Sequence, residues 1–251
     1  MNKIILITGA TSGFGEACAR KFAASGGYDI IITGRRKERL DSLKKELEKN
    51  SRVLTLVFDV QDKAAVQKAI DSLPQEWKKV DLLINNAGLA LGRDYFDEAD
   101  MADWETMIDT NVKGLLYVSR AVLPLMIPQG KGHVINLGST AAKVVYDRGN
   151  VYCGTKAAVD SISHAMRIDL LRHSIKVTAI HPGAADTEFS NIRFKGDDAQ
   201  AKKVYEGYTP LYAEDVADTI FYCATLPDHV CINDLIITCT AQADAIYTYK
   251  K

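Results

Sequence analysis

Short apolar runs alternate with longer stretches of helical periodicity from one end of the chain to the other. Seven runs are nearly continuous in Ile, Leu and Val: Lys3 to Thr8, Tyr28 to Thr33, Val53 to Phe58, Val80 to Ile84, His133 to Leu137, Lys176 to Ile180 and, more weakly, Leu235 to Thr238. A strand with one face in water alternates apolar and polar residues, whereas a continuous run predicts a strand covered on both faces, as repeated βαβ units require. Between the runs, Glu16 to Ala24, Lys37 to Lys49, Lys63 to Leu73, Asp103 to Met126, Val151 to Arg172 and Glu214 to Thr225 carry helical spacing. The pattern predicts an α/β fold: a single doubly wound parallel sheet of about seven strands with helices on both faces. No internal repeat, low-complexity tract or Pro/Gly/Ser-rich linker marks a boundary, so residues 1–251 are read as one domain.

Two stretches fall outside the rhythm, a mixed-charge loop from Leu89 to Ala102 and a polar excursion from Gly183 to Tyr208. Both follow strands. Because ligands in open α/β sheets sit beyond the carboxyl ends of the strands, both are candidate substrate walls, with a plain surface loop the equal alternative for the first.

Composition narrows the classes. A chain of 251 residues that is 47% hydrophobic and 25% charged is that of an ordinary globular protein, and a net charge of −1 provides no footprint for nucleic acid or an anionic membrane. No apolar run reaches the roughly 18 residues of a membrane span, and no charged-then-apolar leader precedes the first strand; a cytoplasmic location is expected. The five cysteines show no CxxC pairing and the five histidines no metal spacing, so no metal site is expected. The histidines read as structural or surface residues, and Cys153 as a small packing residue. A Ser/His/Asp hydrolase is disfavoured, since no GxSxG elbow occurs.

The chemistry collects at strand ends. Thr8-Gly9-Ala10-Thr11-Ser12-Gly13-Phe14-Gly15 joins the first strand to the first helix, whose N-terminal amides and dipole can face a pyrophosphate, as in the Rossmann type of sheet. Gly34-Arg35-Arg36 closes the second strand. An acidic residue there would repel a 2′-phosphate; Gly34 leaves room and Arg35 can pair with the phosphate, which favours NADP, while Arg36 is either a further cofactor contact or a solvated start to the next helix. Asp59-Val60 ends the third strand, where Asp59 either accepts from an adenine amino group or caps the following helix. Asn85-Asn86-Ala87-Gly88 follows the fourth, its amides suited to tying strand ends together and its small residues to close approach of a nucleotide. Pro182-Gly183-Ala184-Ala185-Asp186-Thr187 turns over after the sixth, where a nicotinamide would lie.

Tyr152 and Lys156 lie four apart and share a helical face, so the ammonium can stabilise the phenolate. Bringing a phenol from about 10 to about 7 takes roughly 4 kcal/mol, about what one cation at about 4 Å supplies at an effective dielectric near 20. Ser139, just beyond the fifth strand, is placed to donate to a substrate oxygen. Asn111 lies within a helix, where its amide either holds a water linked to Lys156 or is an ordinary surface Asn.

Together these residues resemble the short-chain dehydrogenase/reductase superfamily, whose members carry TGxxxGxG, NNAG, YxxxK and a PG turn ending in Thr, all present here in order. The stretches Asn85 to Gly92, Asp103 to Asn111 and Thr187 to Asp198 are similar to the NADP-dependent 3-hydroxy acid dehydrogenases, which act on serine, allo-threonine and small 3-hydroxy acids. The segment Lys143 to Arg148 departs from the small residues expected of those relatives. The resemblance implies a catalytic tetrad of Asn111, Ser139, Tyr152 and Lys156, with Lys156 also binding the nicotinamide ribose, and a homotetramer. For a substrate carboxylate the loop cations are Arg93, Arg148, Arg193 and Lys195; Arg193 is preferred and Arg148 second, with Arg93 and Lys195 as solvated charges. The alternatives are a 3-oxoacyl thioester reductase, disfavoured by the Thr187 to Asp198 loop, and a dinucleotide-sensing protein without catalysis, disfavoured by the intact tetrad.

Overall fold

The computed structural model describes residues 2–251. Seven parallel strands form one sheet: β1 (Lys3–Ile7), β2 (Tyr28–Gly34), β3 (Val53–Val57), β4 (Val80–Asn85), β5 (Gly132–Leu137), β6 (Ile175–Pro182) and β7 (Asp234–Ile237), in the order β3-β2-β1-β4-β5-β6-β7. The helices are α1 (Gly13–Ser25), α2 (Lys37–Leu47), α3 (Lys63–Asp71), α4 (Met101–Ile108), α5 (Leu115–Met126), α6 (Asn150–Leu170), α7 (Glu188–Arg193), α8 (Asp198–Lys203) and α9 (Ala213–Thr225). The expected sheet is therefore observed.

Alternation along each strand explains the continuous apolar runs. Ile5 and Ile7 of β1 pack with Cys18 and Phe22 of α1 and Ile220 of α9, whereas Ile4 and Leu6 pack on the opposite face with Val118 and Val122 of α5 and Val159 of α6. In β2, Ile30 and Ile32 join the first cluster and Ile31 the second. Both faces are covered, so apolar residues follow one another along these strands, and the buried Asp29 of β2 is held by its pairing with Arg52.

The strand order reverses between β1 and β4, which opens a crevice at the carboxyl edge of the sheet. Asn85 pins its floor: the side-chain amide donates to Asn136 Oδ1 on β5 at 2.9 Å and to Ser119 Oγ on α5 at 2.9 Å. The amide of Asn86 donates to the Thr8 carbonyl at 2.9 Å and ties β4 to β1.

Two departures from expectation bear on the site. The polar excursion after β6, for which no helix was expected, winds into α7 and α8, capped by the side chains of Thr187 and Asp197. The helix expected over Asp103 to Met126 is interrupted by a π turn over Asp109–Gly114, between α4 and α5. Periodicity continues through such a turn with a small phase change, so hydrophobic spacing does not reveal it, and π turns recur at functional positions.

Candidate active site

A cavity of about 560 Å³ occupies the crevice. Its walls include the turn after β1, the ends of β2 to β6, Tyr152 and Lys156 of α6, α7, and Gln242 near the carboxyl end of the chain.

The β1 to α1 turn is shaped by its glycines. Gly9 has φ of +64°, a conformation costly for other residues, and a Cβ on Gly15 would lie 2.5 Å from the Gly9 carbonyl oxygen. Ser12 caps α1 in extended conformation. Arg36 holds the turn from outside: its guanidinium donates to Thr11 Oγ1 and to Ser12 Oγ, both at 2.9 Å, and pairs with Glu188 at 3.1 Å. Arg36 thus starts α2, half-exposed, and also braces the turn. Arg35, more exposed, lines the cavity with one long contact to Asp59 at 3.3 Å. Asp59 accepts from the Gln61 backbone amide at 3.0 Å and caps no helix; Asp62 caps α3 instead. Gly34, Arg35, Arg36, Asp59 and Val60 all face the cavity. Exposed helix-end amides, space over the glycines and cations at the β2 end fit a dinucleotide with a 2′-phosphate.

Farther along the crevice, Asn86, Ala87 and Gly88 form the floor, and Pro182, Gly183 and Thr187 the opposite wall. Thr187 approaches the turn closely, since a Cβ on Gly13 would lie 3.6 Å from its Cβ. Gln242 accepts from the Ala184 amide at 2.8 Å and fixes this wall to the carboxyl-terminal segment.

The tetrad candidates converge. Tyr152 and Lys156 are buried at 8% and 7% exposure, and Lys156 Nζ donates to the Leu137 carbonyl at 2.9 Å. Asn111 is buried in the π turn, not on a helix surface. Its amide donates to the Leu89 carbonyl at 2.8 Å and to Thr155 Oγ1 at 3.1 Å and accepts from the Leu89 amide at 2.8 Å, so it anchors the loop after β4 to α6. A Cβ on Gly88 would lie 3.3 Å from Asn111 Oδ1 and 3.4 Å from Lys156 Nζ, which places both groups against that loop. Ser139 begins a short 3₁₀ turn over Thr140–Ala142 and its hydroxyl accepts from the Ala141 amide at 3.1 Å.

Electrostatics differ from the simple Tyr152–Lys156 pairing expected. Burial pushes the Tyr152 phenol well above its ordinary range, Tyr146 adds to this, and Ser139 and Arg193 pull the other way. Burial lowers Lys156 to about 8. The cation that acts on the phenol is therefore Arg193 of α7 rather than Lys156.

There Arg193 donates to the Tyr146 hydroxyl at 2.9 Å and lies 5.6 Å from the centre of the Tyr152 ring. Arg93 lines the same wall, 5.8 Å from the centre of the Tyr146 ring. Arg148, the second choice from sequence, is elsewhere: its backbone is left-handed, its guanidinium donates to the Tyr95 hydroxyl at 2.7 Å, and it does not line the cavity. Lys195 is paired with Asp103 at 2.9 Å. Sequence reading missed Tyr146 and set Arg93 aside as a solvated charge, although the Leu89 to Ala102 stretch that carries it was a candidate wall. No periodicity says which loop side chains turn inward.

Residues 3–197 match the family model described as short chain dehydrogenase. The chain is 50% identical over 243 residues to the NADP-dependent 3-hydroxy acid dehydrogenase of Salmonella typhi, covering 96% of this chain and 97% of that one. It is also 50% identical over 244 residues to sulfoacetaldehyde reductase 2 of Chromohalobacter salexigens, covering 97% and 96%. Among solved structures, a closed form of serine dehydrogenase complexed with NADP+ superimposes with a TM-score of 0.92 at 48% identity, over 99% of both chains. With the glycine turn, the Tyr152–Lys156 helix and the seven-stranded sheet all in place, the chain belongs to the short-chain dehydrogenase family.

Proposed function

We propose that the protein is an NADP-dependent oxidoreductase acting on the hydroxyl of a small 3-hydroxy acid such as serine, allo-threonine or 3-hydroxypropionate, or on the corresponding carbonyl. The observation that carries this reading is the position of Arg193, which lies beside Tyr152 in the cavity wall, with Tyr146 in contact with both it and Arg93. A desolvated carboxylate in such a site requires a charge partner, and Arg193 faces the position where the proton is exchanged.

Bound NADP+ supplies the hydride acceptor. Tyr152 takes the hydroxyl proton at its phenolic oxygen during oxidation and returns it during reduction. Ser139 donates to the substrate oxygen and fixes its approach to Tyr152. Lys156, held by the Leu137 carbonyl, places its charge beneath the reacting groups, and Asn111 secures the loop that covers it. The Gly9 to Gly15 turn and α1 would hold the pyrophosphate and Arg35 the 2′-phosphate, with Arg36 bracing the turn; Arg193, aided by Arg93, would hold the acid group.

The dehydrogenase and the sulfoacetaldehyde reductase named above bear on the identity of the anion. An arginine wall accepts a sulfonate as well as a carboxylate, so the same site suits an aldehyde bearing either. The test is a panel of serine, allo-threonine, 3-hydroxypropionate, 2-hydroxyethanesulfonate and an acyl thioester with NADP+ and NADPH. Turnover of a 3-hydroxy acid with NADP+ is expected; turnover confined to the thioester refutes the reading.

A further inference from the structure

Behind Ser139, on the side away from the cavity, lies a charged cluster that none of these roles uses. His181, at the end of β6, is fully buried, and its ring presses against the strand end that carries Ser139: a Cβ on Gly138 would lie 2.3 Å from His181 Nδ1. Nδ1 is 3.3 Å from the Ser139 amide nitrogen and 3.2 Å from the Ser139 carbonyl oxygen. One ring nitrogen serves only one of these partners at a time. Bare, it accepts from the amide; protonated, it donates to the carbonyl.

The other ring nitrogen decides which. His181 Nε2 lies 2.9 Å from Asp234 Oδ1 on β7 and 3.3 Å from Asp160 Oδ1 on α6. The contact is short of an aligned hydrogen bond, yet both neighbours are acceptors, so the proton of a neutral ring resides on Nε2. Lys143 Nζ, 2.9 Å from Asp160 and 2.6 Å from Asp234, keeps the two carboxylates together, with His164 on the outer side of α6 at 3.6 and 3.8 Å from them. Burial opposes a charge on His181, and the two carboxylates do not fully offset it.

We infer that His181 is a positioning residue for Ser139: the Lys143–Asp160–Asp234 cluster holds its ring with the proton on Nε2, and the bare Nδ1 accepts from the Ser139 amide and sets the direction of the Ser139 hydroxyl. The inference rests on the role proposed for Ser139. It uses residues on four elements that are far apart in sequence, including Lys143 in the segment that departs from the pattern expected of relatives.

The test combines kinetics with spectroscopy of the whole protein. In His181→Leu, kcat with a 3-hydroxy acid is expected to fall about tenfold, the scale of a misplaced orienting group, while KM for NADP+ stays within about twofold. In His181→Asn, whose carbonyl oxygen occupies the place of Nδ1 and can accept from Ser139, most of the loss is expected to be recovered. A packing role predicts the reverse ranking, since Leu is the apolar replacement. A His181→Leu enzyme with wild-type kcat, or an Asn variant no better than Leu, overturns the inference. ¹⁵N spectra of wild-type protein, with His181 assigned from the Asn variant, should show a neutral ring protonated on Nε2 at neutral pH. A ring protonated on Nδ1, or an imidazolium, overturns it even where the Leu variant fails to fold. The tautomer is read without turnover, so a wild type inactive on every hydroxy acid refutes the proposed function and leaves this measurement standing.

Discussion

A phenol at 8% exposure has lost most of the water that would stabilise its anion, and Tyr152 is accordingly raised in spite of Ser139 and Arg193. Lys156 is lowered for the same reason, because burial penalises the ammonium. The sign follows: oxidation needs the phenolate, so kcat/KM for a 3-hydroxy acid should rise with pH, by up to about tenfold per unit between about pH 7 and 9, while carbonyl reduction, which needs the phenol, should not rise. An oxidation rate that falls across that range would refute the assignment of Tyr152 as base. Tyr152→Phe removes only the exchanging oxygen; turnover should drop by more than about a hundredfold, with NADPH binding by fluorescence retained. Both residues were evident from the four-residue spacing. Their pKa directions were not, since spacing reports proximity and says nothing of desolvation.

At the level of elements, the site is assembled by strand ends and by two helices of unequal legibility. The β2 end carries Gly34 and Arg35, the basis for expecting at least about a tenfold preference for NADP over NAD, or about 1.4 kcal/mol. Arg35→Ala should raise KM for NADP+ and leave NAD+ nearly unchanged; equal losses with both would make Arg35 structural. Arg36 should behave differently, because its removal frees Thr11 and Ser12 and so weakens both cofactors. Helix α7 carries Arg193 and begins with Glu188, which Arg36 and Arg39 grip, so the substrate wall is tied to the phosphate end of the crevice. Arg193→Ala should cost about 10- to 150-fold in kcat/KM for acids, the worth of about 1.5–3 kcal/mol for a charged hydrogen bond, with a smaller loss for matching uncharged alcohols. Arg148→Ala should be near wild type. Unchanged discrimination in Arg193→Ala would remove the anchor. Six residues with only Phe189 and Ile192 apolar hid α7, because a helix that short is set by its cap at Thr187 and by the wall it packs on rather than by a periodicity long enough to read.

At the scale of the molecule, the apolar runs located all seven strands to within a residue or two: the inner strands because they are buried on both faces, and the edge strands β3 and β7, only partly covered, because their runs of Ile, Leu and Val persist there too. Assembly is written less plainly, since a surface pattern does not name its partner. We expect the homotetramer usual in the family. A tetramer of paired twofold contacts needs two distinct self-complementary faces, and among the several regions with exposed apolar side chains two lie on regular elements well separated in the sheet order. One is the edge strand β7 with its neighbour α9, where Ile236 and Tyr222 are 55% and 59% exposed; the other is the α4 and α5 helix pair, where Met101 and Leu116 are 60% and 41% exposed. An edge strand with an uncovered apolar residue invites pairing unless another subunit covers it. Sedimentation should therefore give a mass of four times the 27.6 kDa chain, and Ile236→Lys should reduce it to that of a dimer held by the helical face. A wild type sedimenting as one chain would overturn the tetramer, and a tetramer undisturbed by Ile236→Lys would remove the edge strand from the contact.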